Sequence, residues 1–270
     1  MAEVVVAAVG DNCIDRYLAL GKSTVGGNAV NVAVHLARLG LSSAYLGAVG
    51  DDEDGRRILY ALRSNGVDTR HVHIRAGRTA YTDIAVGAGG ERIFAAEEMG
   101  VCAGYRPDPA EMAMLRELRH VHIGWLDDGG LLKQVLAAKG TSVSQDLSVA
   151  SPAAGRRVNG LAIAFASAGP GLADGEALAT RLVTEGARTA VVTCGSAGSV
   201  ATDGATVVRT GAHPVEVVDT LGAGDTFIAG FLAARLRGEN LAASLEAGRD
   251  LAAITCTHLG GFPQTPLMLA

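Results

Sequence analysis

At 270 residues and 49% hydrophobic content, the chain can bury a sizeable core, and a single α/β domain spanning 1–270 is expected. A formal net charge of −5 and the lack of any Lys/Arg block argue against nucleic acid or a membrane surface as a partner. Cys13, Cys102, Cys194 and Cys256 are dispersed with no C-x-x-C, which fits free thiols. The apolar start carries Glu3 in place of a basic flank, so it reads as a strand and not a leader, and a cytoplasmic location is expected.

Strand-like and helix-like segments alternate along the chain. Residues 4–10 form a continuous β-branched run, as in a strand covered on both faces. The pattern over 28–40 is helical, with Gly40 as its stop. Residues 43–50 read as strand and 52–66 as helix, with Asp52 and Asp54 at its start and Gly66 at its end. Between 71 and 96 the helices disappear, and "HVHIR", "AYTDIAVG" and "ERIFAA" read as short strands, the last two joined by the turn "GAGGE". With 14–20 they are expected to form a small β-sheet lid.

Alternation then resumes. Strands are expected at 119–124, 142–147, 161–167 and 189–194, and helices near 108–117, 129–138 and 174–185. A hairpin flanks Gly204, and helices at 223–237 and 241–257 follow. Such alternation predicts a mostly parallel sheet flanked by helices, with ligands beyond the carboxyl ends of the strands.

Four stretches carry chemistry. "DTLGAGDTFIAGFL" (219–232) leads a glycine-rich turn into an apolar helix, so the amides of Gly222, Ala223 and Gly224 suit an anion. Asp225 in the same turn would repel that anion unless the two serve opposite ends of one reaction. Phosphoryl transfer supplies such a pair: amides steady the transferred group while a carboxylate takes the proton of the attacking hydroxyl.

In "GGNAVNVAVHLARLG" (26–40), Asn28, Asn31, His35 and Arg38 form one polar stripe. Solvent accounts for Arg38 and His35. Asparagine is a poor helix former, however, and a carboxamide beside Gly26 and Gly27 suits sugar hydroxyls. In "GDNCIDRY" (10–17), Asp11, Asn12 and Asp15 follow the first strand, where they either hold vicinal hydroxyls or stabilise a turn. "TCGSAG" (193–198) is a strand-to-glycine turn, a weak signal alone.

"HVH" occurs at 71–73 and 120–122, with no third ligand at a telling spacing for zinc. In "WLDDGG" (125–130), Trp125, Asp127 and Asp128 either line a pocket or shape a turn.

With these motifs, the chain resembles the ribokinase-like (PfkB) carbohydrate kinases over nearly its whole length. "GGNAVNVAVHLARLG" is similar to the family's N-terminal signature and "DTLGAGDTFIAGF" to its C-terminal one. The resemblance implies a ribokinase-like α/β fold with a β-sheet lid, and ATP-dependent phosphorylation of a sugar hydroxyl with Mg2+. It implies Asp225 as catalytic base and Gly222, Ala223 and Gly224 as the anion hole. It further implies Asp15, Gly27, Asn28 and Asn31 as sugar-binding positions, with Asp11 added as a candidate acid. Thr193, Gly195 and Gly198 match a nucleotide-binding turn, and Asp219 a position that in some members binds a monovalent cation such as K+. A homodimer through the lid is a further expectation.

Within the family, "GDNCIDRY", "GGNAVNVAV", "VGDDEDG", "GVDTRHVH" and "FASA" resemble members acting on fructosamines. That implies the 6-hydroxyl of fructoselysine or a relative as acceptor, with Asp11 or Asp127 meeting its amino groups. The alternatives are fructose, ribose or a nucleoside, or a non-catalytic sugar-binding protein. The 4% aromatic content disfavours a nucleoside. Many family members carry Asn-x-x-Glu to organise magnesium. Here Ser167-Ala168-Gly169-Pro170 stands in its place, leaving Glu176 or Asp146 as substitutes.

Overall fold

The computed structural model describes residues 5–86, 92–149 and 153–269. Its main sheet has nine strands. In chain order they are β1 (Val6–Val9), β4 (Ser43–Gly50), β5 (Val72–Arg75), β8 (His120–Ile123), β9 (Val143–Asp146), β10 (Ile163–Ser167), β11 (Ala190–Thr193), β12 (Ser199–Thr202) and β13 (Val207–Thr210). The spatial order is β13-β12-β11-β10-β9-β8-β1-β4-β5. Pairing is parallel from β5 to β11 and antiparallel for β12 and β13, the hairpin expected around Gly204.

The strands are covered on both faces, and the alternation of side chains shows it. Val6 and Ala8 of β1 join one core layer, while Ala7 and Val9 join the other. The first layer packs against α1 (Asn28–Arg38), α2 (Glu53–Ser64), α6 (Ala223–Leu236) and α7 (Leu241–Thr255). The second packs against α3 (Pro109–Glu117), α4 (Leu131–Ala138) and α5 (Leu172–Thr184). Buried on every side over most of their length, α1 and α6 lie against each other. That contact brings the two glycine-led helix starts together.

The smaller sheet runs β14-β3-β2-β6-β7. Its strands are β2 (Cys13–Tyr17), β3 (Lys22–Gly26), β6 (Tyr81–Val86), β7 (Arg92–Glu98) and β14 (Leu267–Met268). The sequence expectation differs in three places. The strand expected over 14–20 ends at Tyr17, because Leu18–Leu20 close a 3-10 turn onto Gly21 in the left-handed region. "HVHIR" is β5, paired in parallel with β4 at the edge of the main sheet and not in the smaller one. β3 and β14 complete the smaller sheet, and neither has enough alternation to announce itself. The turn "GAGGE" (87–91) lies outside the described residues. No helix among the described residues is long and apolar enough to cross a membrane.

Candidate active site

The carboxyl ends of the parallel strands converge on the starts of α1 and α6. Gly27 begins α1 with φ +103°, and a Cβ there would lie 2.5 Å from Asn12 Cα, so only glycine permits this approach. Gly222 precedes α6 with φ +74°, and a Cβ there would meet Gly261 Cα at 2.4 Å. These two turns aim Asn28, Asn31 and Asp225 at one another. Asn28 Nδ2 donates to Asp225 Oδ1 at 2.6 Å and to Asp146 Oδ2 at 2.8 Å. Asn31 Nδ2 donates to Asp225 Oδ2 at 2.7 Å. The carboxylate of Asp225 is thus gripped at both oxygens. Burial pushes its pKa up to about 6, opposed by the bond from Asn31, so it stays ionised at neutral pH and is poised to accept a proton.

A cavity of about 220 Å³ opens beside it, lined by Asp146, Ser148, Phe165, Thr193, Gly224 and Asp225 among others. Thr193 ends β11, and its hydroxyl meets that of Ser167 at 3.0 Å. Gly195 (φ +54°) and Gly198 (φ +110°) shape the turn that follows. Of the three amides expected to face an anion, that of Ala223 is already given to the Thr220 carbonyl at 3.2 Å, while Gly224 reaches the cavity wall.

Asp15 sits on β2 with only 4% exposure. Among the described residues its one donor is the Cys13 thiol, Sγ to Oδ1 at 3.2 Å. Oδ2 lies against Gly26, where a Cβ would come within 1.9 Å. Burial raises its pKa to about 7, with the charges of Asp225, Asp219 and Asp11 adding to the effect.

Other expected residues are spent elsewhere. Asp11 accepts the amides of Asn28 (2.7 Å), Ala29 (3.3 Å) and Trp125 (2.9 Å), fastening the start of α1 to the loop after β8. Asp127 is taken by Arg106 at 2.7 Å and by the Gly104 amide, so it is not placed to meet a substrate ammonium. Asp128 caps α4 through the amides of Gly130 and Leu132. His35 is buried, not solvent-facing: its Nε2 meets the Gly261 carbonyl at 2.7 Å, and burial lowers its pKa to about 4. His120 and His122 are buried and share the Ser144 hydroxyl.

Asp219, expected as a monovalent-cation position, lies in the turn that leads into α6. This fully buried carboxylate accepts from the Tyr17 hydroxyl at 2.5 Å, the Leu221 amide at 2.7 Å and the Gly260 amide at 2.9 Å. Of the substitutes for Asn-x-x-Glu, Glu176 is paired with Arg209, whereas Asp146 lines the cavity. Two residues to which the motifs assign no role are Tyr17, at the end of the same strand as Asp15, and Lys133, hidden in an apolar helix.

The model of the pfkB family carbohydrate kinases matches residues 15–124 and 159–266, and the chain belongs to that family. It is therefore a carbohydrate kinase, and ATP use follows from that class. It is 38% identical over 263 residues to the fructoselysine 6-kinase of Escherichia coli (strain K12), covering 95% of this chain and 99% of that protein. It is 29% identical over 263 residues to the fructosamine kinase FrlD of Bacillus subtilis (strain 168), covering 94% and 92%. The fold matches that of an Arabidopsis thaliana ribokinase solved with ribose and ATP, with TM-score 0.79, 19% identity and coverage of 96% and 94%.

Proposed function

We propose that this kinase transfers the γ-phosphoryl group of ATP to the 6-hydroxyl of fructoselysine or a closely related fructosamine. The observation that carries the reading is the double grip of Asn28 and Asn31 on Asp225 beside the cavity. The identity to the Escherichia coli fructoselysine 6-kinase supports the acceptor. Asp225 takes the proton from the acceptor hydroxyl as the phosphoryl group moves. Gly222 and Gly224 let the chain approach that group closely, and Thr193, Gly195 and Gly198 shape the nucleotide side.

Asp15 is the acid left for the acceptor. With Asp11 and Asp127 committed to chain contacts, its Oδ2, which accepts no hydrogen bond among the described residues, suits a sugar hydroxyl or the secondary ammonium of a fructosamine. The cavity's acids also suit a divalent cation, and Asp146 is the carboxylate that would hold it. Mg2+, when bound with the nucleotide, offsets the negative charge of the phosphates. The smaller sheet covers the acceptor and limits hydrolysis of ATP by water. A coupled assay for ADP release with fructoselysine, fructose, ribose and adenosine tests the reading. A preference for fructoselysine is expected, and a preference for an unmodified sugar overturns the acceptor.

The smaller sheet also favours a homodimer. Phe94 on β7 is 63% exposed, and Leu18 and Leu20 beside β2 are about half exposed. Light scattering should give twice the mass of one chain, and Phe94→Glu should reduce it.

A further inference from the structure

Lys133 lies in the first turn of α4 and is 1% exposed. Its ammonium has three hydrogens, and each has an acceptor. Gln145 Oε1 lies at 2.8 Å, the Gly155 carbonyl at 2.6 Å, and the Arg157 carbonyl completes the set. No carboxylate among the described residues forms an ion pair with it. Asp128 contributes to its field, but that carboxylate is occupied by the start of α4. A buried charge without a counter-ion is costly, and here three hydrogen bonds compensate it.

The three acceptors show what depends on it. Gln145 precedes Asp146 at the end of β9, where the chain leaves the sheet. Gly155 and Arg157 lie where it returns towards β10. One ammonium therefore ties the outgoing leg of this excursion to its returning leg. The outgoing leg is part of the site. Ser148 and Val149 line the cavity alongside Asp146, Thr193, Gly224 and Asp225. The Ser148 amide donates to Asp146 Oδ1 at 2.8 Å, and the Leu147 amide to the Phe165 carbonyl at 2.8 Å.

We infer that Lys133 is a positioning residue for the nucleotide side of the phosphoryl-transfer cavity, acting by clamping the wall built from 147–149. The inference rests on the reading of this cavity as the place where ATP delivers its phosphoryl group. Lys133 touches neither reactant and acts through Gln145 and the two carbonyls. Methionine matches its volume and supplies no donor. Arginine keeps charge and donors, though in a planar fork that matches the three acceptors less well.

The experiment compares wild type, Lys133→Met and Lys133→Arg by calorimetric titration with ATP and by steady-state kinetics, with the melting temperature of each. For Lys133→Met, KM for ATP should rise about tenfold while KM for the acceptor stays within about twofold, and Lys133→Arg should recover part of the loss. A folded Lys133→Met that binds ATP as wild type does overturns the inference, as does an equal rise in both KM values. Should Lys133→Met not fold, Gln145→Leu removes one acceptor of the clamp and should weaken ATP binding about threefold. Unchanged binding there overturns the inference too. Wild type that binds no ATP overturns the kinase reading and the clamp together, whereas normal wild-type binding with an indifferent Lys133→Met overturns the clamp alone.

Discussion

Asn31 and Asp225 meet at 2.7 Å, the carboxamide nitrogen of one donating to Oδ2 of the other. The bond, with its partner from Asn28, fixes the orientation of an acid whose own helix start would leave it free to rotate. Orientation and ionisation of Asp225 are thus set from α1, an element remote in sequence.

Asp225→Asn removes the proposed proton acceptor and keeps the shape of the site. Turnover should fall by about 10²–10⁴-fold, the usual range for general-base catalysis, with ATP affinity retained. Single-turnover kinetics and an ATP titration check this, and near-normal turnover would remove the assignment.

Asn31→Ala strips one charge-assisted hydrogen bond from Asp225 and should cost about 1.5–3 kcal/mol of positioning, or roughly ten- to a hundredfold in kcat. It should also raise the pKa of Asp225, since the Asn31 bond opposes the effect of burial. The acid limb of the rate profile, expected near pH 6 in the wild type, should therefore move to higher pH in this variant.

Asp15 predicts a pH-dependent effect on stability. Its folded pKa of about 7 lies above the ordinary carboxylate value, so the folded state binds more protons between about pH 4 and pH 7. Its contribution to stability therefore declines as pH rises through that window. Buried His35, His120 and His122, with pKa values lowered to about 4, 4 and 3, act in the opposite sense below about pH 6.5. Comparison with Asp15→Asn isolates the carboxylate. The variant should gain more stability over wild type at pH 8 than at pH 5 in urea denaturation, and should lose acceptor affinity. An equal gain at both pH values would contradict the raised pKa.

Asp146 and Glu176 offer a paired test of the metal. Asp146→Ala should raise the Mg2+ concentration needed for half-maximal rate, while Glu176→Ala should leave it within about twofold. A reversed outcome would move the metal from Asp146 to Glu176.

Much of the fold was legible in sequence. The continuous β-branched run at β1 and the glycine-closed helical patterns of α1 and α2 are local signals, and local signals sufficed. The placement of "HVHIR" was not legible, because a four-residue strand does not declare which sheet will pair with it. At the site, Asp225 and its glycine turn stood out through an unusual juxtaposition of charge and amides. The tasks of Asp11 and His35 did not, since both are set by partners distant in sequence, Trp125 for the first and Gly261 for the second. Asparagine at two positions of one helix face marked α1 as unusual, yet nothing in that spacing revealed that a carboxylate and not only a sugar would be held.

The bonds from Asn28 to Asp225 and from Tyr17 to Asp219 span 197 and 202 positions of the chain. Contacts of that separation close late, after the intervening strands have found their order. During refolding, native-like helical signal should therefore return before enzymatic competence does. A cut anywhere between α2 and α5 separates Asn28 from Asp225 and Tyr17 from Asp219, so neither half alone should show kinase activity.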